Sequence, residues 1–363
     1  MQPGEPRLRI AGIMKKCSRL MVVVLLVLVA FVAANVVAAL VATRIIAANI
    51  AEQYPPDGSF VALNGGRLHY YDLPPRESPA GPPILLLHGA TSNARDMVYA
   101  LGDRLSRHHR VIAIDRPGHG WSDRLDGSAD ASPAVQASRI AEALDKLGVG
   151  KVIVVGHSYS GSVAANLALD HKDKIAGLVL LAGATYPWPG GVNWYYSVAA
   201  APVLGQIFVN TVMTPLGAYS LKASADDSFT PLAGPADYAE KSASALVLRP
   251  AEFRWNGQDV VALKAFLVEQ SKRYGEISVP TAVIASQDDT VVYADVHSKP
   301  IAKAIPGARL TLLQGMGHQI HYTARDVVVG EIERIAAEAA GPKPDRMRSV
   351  AAGPAAAVKT GNP

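Results

Sequence analysis

The stretch Gly156-His157-Ser158-Tyr159-Ser160 follows the β-branched run VIVV (152–155) and precedes a helical pattern. A serine hydroxyl is a weak nucleophile at neutral pH. To attack a carbonyl it needs a base to take its proton and an acid to orient that base. A match of small residues around one serine says little by itself; the strand–turn–helix context makes it specific. A sharp turn there lifts the hydroxyl off the sheet edge, crowds positions 156 and 160 so that both must be small, and aims free helix N–H groups at the same point. Downstream, Asp288 and Asp289 follow the apolar run TAVIAS (281–286), and His318 follows RLTLLQ in GMGHQIH. The order Ser, Asp, His suits this architecture. Gly315 and Gly317 allow a loop that turns His318 inward, which sets it ahead of His321 as the base. Asp288 and Asp289 both remain open as the acid.

The oxyanion formed on attack needs two donors fixed where its charge develops. The Tyr159 N–H at the helix start is one, and the Ala90 N–H in the loop after ILLLHG is the other. His88 reads as a brace for that loop. His119 and Asp123, in DRPGHGWSD, read as residues of a turn rather than as a second acid–base pair.

These residues need strands to carry them. FVALNGGRLHYYDL reads as a hairpin about Asn64-Gly65-Gly66. Strands are expected at 83–89, 110–120, 151–156, 175–183, 279–286 and 308–315, with a helix at 132–148 and a last one at 325–340. Their alternation predicts an α/β protein with a mostly parallel central sheet flanked by helices. Residues 184–278, rich in Trp and Tyr, break the rhythm as an insertion. Residues 59–183 and 279–340 form the two parts of the core, and the Ala/Pro/Gly-rich tail 341–363 is expected to be disordered.

With 49% hydrophobic and 18% charged residues the chain is that of a folded protein. Its formal charge of +4 sits at the ends: Arg7, Arg9, Lys15, Lys16 and Arg19 precede residue 20, and Lys343, Arg346, Arg348 and Lys359 lie in the tail. The residues between are net acidic, so no nucleic-acid partner is expected. The single cysteine, Cys17, excludes an intrachain disulfide and a cysteine metal cluster. Residues 20–43 carry no charge and would make a helix of about 36 Å, enough to cross a bilayer. A cleaved signal peptide is the competing reading, but its apolar region is usually only about 7–15 residues long. The basic segment 1–19 puts the N-terminus in the cytoplasm and the catalytic part, after a linker at 44–58, on the extracytoplasmic (periplasmic or outer) side of a single-pass membrane protein. Ala30, Ala34, Ala38 and Ala42 recur at a spacing that suits weak helix pairing into a homodimer, though an alanine-rich span gives the same spacing.

LLLHGATSN, VIAIDRPGHGWSD, VVGHSYSGS and ASQDDTVV…GMGHQIH, in this order, resemble the α/β-hydrolase superfamily over residues 59–340. The resemblance implies the α/β-hydrolase fold with a helical cap at 184–278, RPAEFRWNGQDVVALKAFL forming its final helices. It also favours Asp289 as the acid, through the pattern ending in Val292. Dehalogenases and epoxide hydrolases of this fold use aspartate where Ser158 stands, so neither activity is implied. The glycine usual at Ser286 is missing, and serine replaces the frequent glycine at Ser160. The expectation is a membrane-anchored serine hydrolase that cleaves small apolar carboxylic esters, with Ser158, Asp289 and His318 as the triad and no cofactor or metal. Amide, lactone or carbon–carbon bond hydrolysis, or acyl transfer, could run on the same triad. A binding protein without turnover is the reading from another class. The cap cations Lys222, Lys241, Arg249 and Arg254 are scattered and expected to be solvated.

Overall fold

The computed structural model describes residues 6–341. The hairpin pairs β1 (Ser59–Leu63) with β2 (Gly66–Leu73), and Gly65 at its tip has φ 94°. β3 (Ile84–Leu87), β4 (Val111–Ile114), β5 (Val152–His157), β6 (Ile175–Leu181), β7 (Thr281–Ser286) and β8 (Arg309–Leu313) complete an eight-stranded sheet of order β1-β2-β4-β3-β5-β6-β7-β8. β3 to β8 run parallel, and the hairpin joins antiparallel through β2 and β4. Every residue of β3, β4, β5 and β7 is buried, which is why these strands read as unbroken apolar runs.

Strand alternation divides the core. Val152 and Val154 of β5 face a cluster with Ile140 and Leu144 of α2 (Pro133–Lys146) and Val163 and Leu167 of α3 (Ser160–Asp170). Ile153 and Val155 face the other side, toward Met97, Leu101 and, from the last helix (Arg325–Ala340), Ile332 and Ile335. α2 begins at Pro133, whose missing N–H costs nothing there, and is followed by Gly148 at φ 61°. Truncating a core side chain such as Ile140 to alanine should cost about 2–5 kcal/mol.

The expected strand at 110–120 is too long. β4 stops at Ile114 because the Asp115 carboxylate takes the N–H groups of Ala94 (2.6 Å) and Trp121 (2.9 Å) and folds the chain into a turn. Between β6 and β7 the chain forms α4 (Trp194–Ala200), α5 (Leu204–Phe208), α6 (Thr214–Asp227) and α7 (Pro250–Gln270), the cap described below. RPAEFRWNGQDVVALKAFL is part of the single helix α7 rather than of several helices.

The N-terminal helix α1 spans Pro6–Gln53, and its part from Met14 is long and apolar enough to cross a membrane. From Met14 to Ala38 every residue is exposed. The segment 44–58 is not the free linker expected from the sequence: it is helical to Gln53. Thr43, Ile50 and Tyr54 are buried and Ile46 half-buried, at helical spacing, and Ile46, Ile50 and Tyr54 pack with Phe208, Val209 and Leu246–Leu248 of the cap. The tail from 342 lies outside the described residues.

Candidate active site

Four loops leave the C-terminal ends of parallel strands on the same side of the sheet, the side where such sheets carry their ligands. β5 ends at His157 and passes directly into Ser158, whose φ of 54° is left-handed. For a non-glycine residue this conformation costs about 1–3 kcal/mol and needs the surroundings to impose it. Here the Ser158 N–H donates to the Leu181 carbonyl (3.0 Å), and the Ser158 carbonyl accepts from Gly161 and Ala184 (2.9 Å each). Glycine at 156 is required, since a Cβ there would lie 2.3 Å from the Ser160 carbonyl oxygen. Ser160 fits its crowded place by donating its hydroxyl to the His88 carbonyl.

The β7 loop brings in both aspartates, with different partners. Asp289 is buried; one carboxylate oxygen accepts the N–H groups of Val291 (2.8 Å) and Val292 (3.0 Å), and the other meets His318 Nδ1 at 2.7 Å. Asp288 instead accepts the Gly315 N–H at 2.6 Å and so pins the loop that carries His318. Of the two candidates, only Asp289 is bonded to His318. The Nδ1 bond makes Nδ1 the donor and leaves Nε2 as the basic nitrogen, and Nε2 makes no hydrogen bond among the described residues. Gly317 allows the cap to lie against this loop, since a Cβ there would sit 2.3 Å from the Thr230 carbonyl oxygen, and the His318 N–H donates to the Ser228 carbonyl (3.2 Å).

His318 packs its ring against that of His157, the residue before Ser158, with centroids 4.8 Å apart. Burial, with His321 and His318 alongside, holds His157 well below the usual histidine range. It is therefore neutral beside His318 near neutral pH. No hydrogen bond joins the Ser158 hydroxyl to His318 Nε2, a contact that in empty sites is often long and tightens around substrate. His321 is fully buried beneath His157 (centroids 4.3 Å), its nearest carboxylate Asp96 at 3.9 Å.

The β3 loop completes the arrangement. A Cβ on Gly89 would come within 2.9 Å of Ser158 Cβ and 3.5 Å of its Oγ, so this loop lies directly against the serine. Among the described residues neither the Ala90 nor the Tyr159 N–H finds a protein acceptor. His88 does brace the loop: Nδ1 bonds the Gly89 carbonyl (2.8 Å) and Nε2 accepts the Arg116 N–H (3.0 Å). Burial and the Arg116 guanidinium push it down to about 3, so it is neutral and not a base.

Arg116 is a positioning residue that the sequence did not single out. It is fully buried and donates to the carbonyls of His88 (3.2 Å) and Gly89 (3.0 Å), to Gln136 (2.9 Å) and to Asp259 of α7 (3.0 Å). Asp259 also binds Arg124 (2.8 Å), and Asn256, one turn earlier, accepts the Thr91 N–H (2.8 Å). The cap thus holds the β3 loop through buried polar groups. An arginine in an apparent turn gives no sequence signal for this, because its carboxylate partner stands far along the chain. His119 lies within this network, 3.1 Å from Arg116, and Asp123 accepts the Arg67 N–H (3.0 Å), so both serve the turn. Arg249, expected in solvent, is mostly buried: it pairs with Glu252 (2.7 Å), donates to the Gly120 carbonyl and covers the Trp121 ring. Burial pushes the Glu252 carboxyl up, against the pull of Arg249. Among the described residues no group of three His, Cys, Asp or Glu side chains is placed to hold a metal ion.

A strained serine at a strand end, a buried aspartate–histidine pair and a donor loop, set on this sheet, define a hydrolase of the α/β class. Residues 82–324 match the family described as alpha/beta hydrolase fold, and the chain belongs to that family. It is 29% identical over 288 residues to an uncharacterized protein of Mycobacterium tuberculosis, covering 73% of this chain and 76% of the relative. It is 33% identical over 139 residues to haloalkane dehalogenase 2 of the same organism, covering 38% and 44% of the two chains. An esterase from Exiguobacterium antarcticum superposes with a TM-score of 0.62 at 20% identity, covering 77% of this chain and 100% of the other, a likeness of fold.

Proposed function

We propose that the protein is a membrane-anchored serine hydrolase that cleaves small, uncharged carboxylic esters through an acyl-enzyme. The observation that carries this reading is the His318–Asp289 bond of 2.7 Å with Nε2 left unengaged beside the strained Ser158. Ser158 Oγ attacks the carbonyl carbon while His318 Nε2 takes the hydroxyl proton. The N–H groups of Tyr159 and Ala90 receive the oxyanion. Collapse of the tetrahedral intermediate breaks the bond to the alkoxy oxygen, which leaves as the alcohol with the proton from His318. Water then repeats the sequence on the acyl-enzyme and frees the acid and Ser158. Asp289 holds the tautomer and stabilises the imidazolium.

The charged side chains of the cap and the site's turn are largely paired. Arg116 and Arg124 share Asp259, with Asp130 also 4.0 Å from Arg124, while Arg249 pairs with Glu252, Lys222 with Asp226 and Lys241 with Asp237. Arg254 rests on the Trp255 ring. An anionic substrate would therefore find few cations not already engaged, whereas apolar surface gains about 25 cal/mol per Å² covered. Measuring kcat/KM across p-nitrophenyl esters of increasing chain length should find medium acyl chains best. A carboxylated ester or an amino-acid amide as the best substrate would contradict the reading. Because the sequence resemblance places an aspartate at the Ser158 position in dehalogenases, haloalkane hydrolysis is not proposed.

The exposed apolar run of α1 supports an anchor with its basic N-terminal flank in the cytoplasm and the hydrolase across the membrane. The protein should then stay with membranes through a carbonate wash, and protease added from the non-cytoplasmic side should reach the hydrolase. An N-terminus beginning near residue 40 would instead show a cleaved, exported product. The exposed alanines 30, 34 and 38 of α1 would allow a weak homodimer.

A further inference from the structure

The cap carries a surface that hydrolysis alone does not explain. Trp194 of α4, Val203 before α5, Leu204 and Ile207 of α5, Val212 in the π-helical stretch Val209–Met213 that joins α5 to α6, and Leu216 of α6 are all exposed, Trp194 by 65% and Leu204 by 66%. The whole segment 194–221 contains no Asp, Glu, Lys, Arg or His. The outer side of α2, by contrast, carries Ser138, Arg139, Glu142 and Lys146, as a face in water usually does. Soluble proteins rarely leave contiguous apolar patches open without a partner for them.

The root of α1 shows what that partner is. The last turns of α1 pack on the π-helical stretch 209–213 and on α6, the same elements that bear the patch. Phe208 and Val209 point inward toward Ile50 and Tyr54, while Ile207 and Val212 point outward. Thr43, the last residue of the uncharged run, is the first fully buried residue of α1 among the described side chains, and one face of the helix stays exposed beyond it. From Thr43 to Tyr54 is about 16 Å of helix, so a bilayer around the run must end within that distance of the cap. The geometry of the segment 194–221 suits lying on such a surface rather than crossing it. Its two helical arms meet at 114°, and Gly205, Phe208, Val209, Thr214 and Gly217 are buried on their protein side. One apolar face outward, protein behind, and a tryptophan on the outer side form the pattern of an interfacial element.

We propose that the outer face of α4, α5 and the start of α6 is embedded in the headgroup–acyl boundary of the bilayer that α1 crosses. This rests on the reading of α1 as an uncleaved anchor. Beyond the embedded start, α6 runs on to Asp227, beside Ser228, whose carbonyl accepts the His318 N–H.

The test uses the full chain with Cys17→Ser, which removes its only cysteine, in phosphatidylcholine vesicles doped with lipid carrying a nitroxide near the top of the acyl chain. An environment-sensitive fluorophore is attached in turn to V27C in the uncharged run, to L204C and L216C on the cap face, and to K151C at the far end of β5. The substituted positions are exposed and outside the site, so ester turnover serves as the check on folding. The proposal expects V27C, L204C and L216C to lose most of their emission to the nitroxide, the two cap labels to be blue-shifted, and K151C to keep its emission. Quenching at V27C with cap labels that behave like K151C overturns the embedded cap and leaves the anchor standing. No quenching at V27C overturns both.

Discussion

Among the described residues, two buried histidine–aspartate pairs share an Nδ1–carboxylate distance of 2.7 Å, His318–Asp289 and His69–Asp115. Their second nitrogens differ. His69 Nε2 accepts the Gly58 N–H (3.1 Å), and Asp115 is occupied by Ala94 and Trp121, so every polar side-chain atom of that pair is engaged in tying β2 to the turn after β4 and to the chain around it. His318 leaves Nε2 unengaged, beside a serine in a left-handed conformation. An oriented imidazole can act as a base only where its second nitrogen is free and a nucleophile stands next to it; closed at both ends, the same pair is a structural tie.

The largest effect that separates the pairs is on turnover. Ser158→Ala and His318→Ala should each lower ester kcat by about 10⁴–10⁶-fold, because triad members act as a unit. His69→Gln should leave the folded protein's kcat near wild type. A crippled His69→Gln with unchanged Tm would erase the distinction. Within the His318 pair, Asp289→Asn should cost about 10³–10⁴-fold by allowing the wrong tautomer, whereas Asp288→Asn keeps an amide oxygen that can accept the Gly315 N–H and should cost far less. The reverse ranking in steady-state kinetics would reassign the acid.

Smaller effects fall on stability. Asp115→Asn should lower unfolding free energy by about 1–3 kcal/mol in urea titrations, since it weakens buried hydrogen bonds at the hairpin. A gain in stability would show that the pair is not a tie. A third group of histidines sharpens the contrast through pH. Burial, aided by Arg116, pushes His88 down to about 3, and burial pushes His297 down to about 4. Their folded values lie below the unfolded one, so the unfolded chain takes up more protons as pH falls. Stability is intact above about 6.5 and drops toward 4, by up to about 1.4 kcal/mol per histidine per pH unit. Tm by calorimetry should therefore fall between pH 7 and pH 5; a flat or rising Tm would contradict the assignment.

The parallel sheet was legible because β3, β5 and β7 are buried on both faces and their apolar runs stop at glycine or polar residues. The positions of Ser158, His318 and the aspartates at strand ends were legible for the same reason. The choice between Asp288 and Asp289 was not open to spacing, since adjacent residues differ only in where the backbone turns them; the bonds to Gly315 and His318 now distinguish them. Arg116 and Asp259 were missed because their contact joins an early turn to a late helix. The seating of α1 on the cap was missed because Thr43, Ile46 and Ile50 look like the end of an apolar run, and only the fold supplies their partners.

Ser158 alone should be activated, by the open His318. Intact-mass measurement after exposure to a fluorophosphonate tests it most directly, because such a reagent is captured only by an activated serine. The account predicts a single adduct on the wild-type protein, mapped to Ser158, and absent from Ser158→Ala and His318→Ala but retained by His69→Gln. No adduct on the wild type, or one that survives in Ser158→Ala, would contradict it.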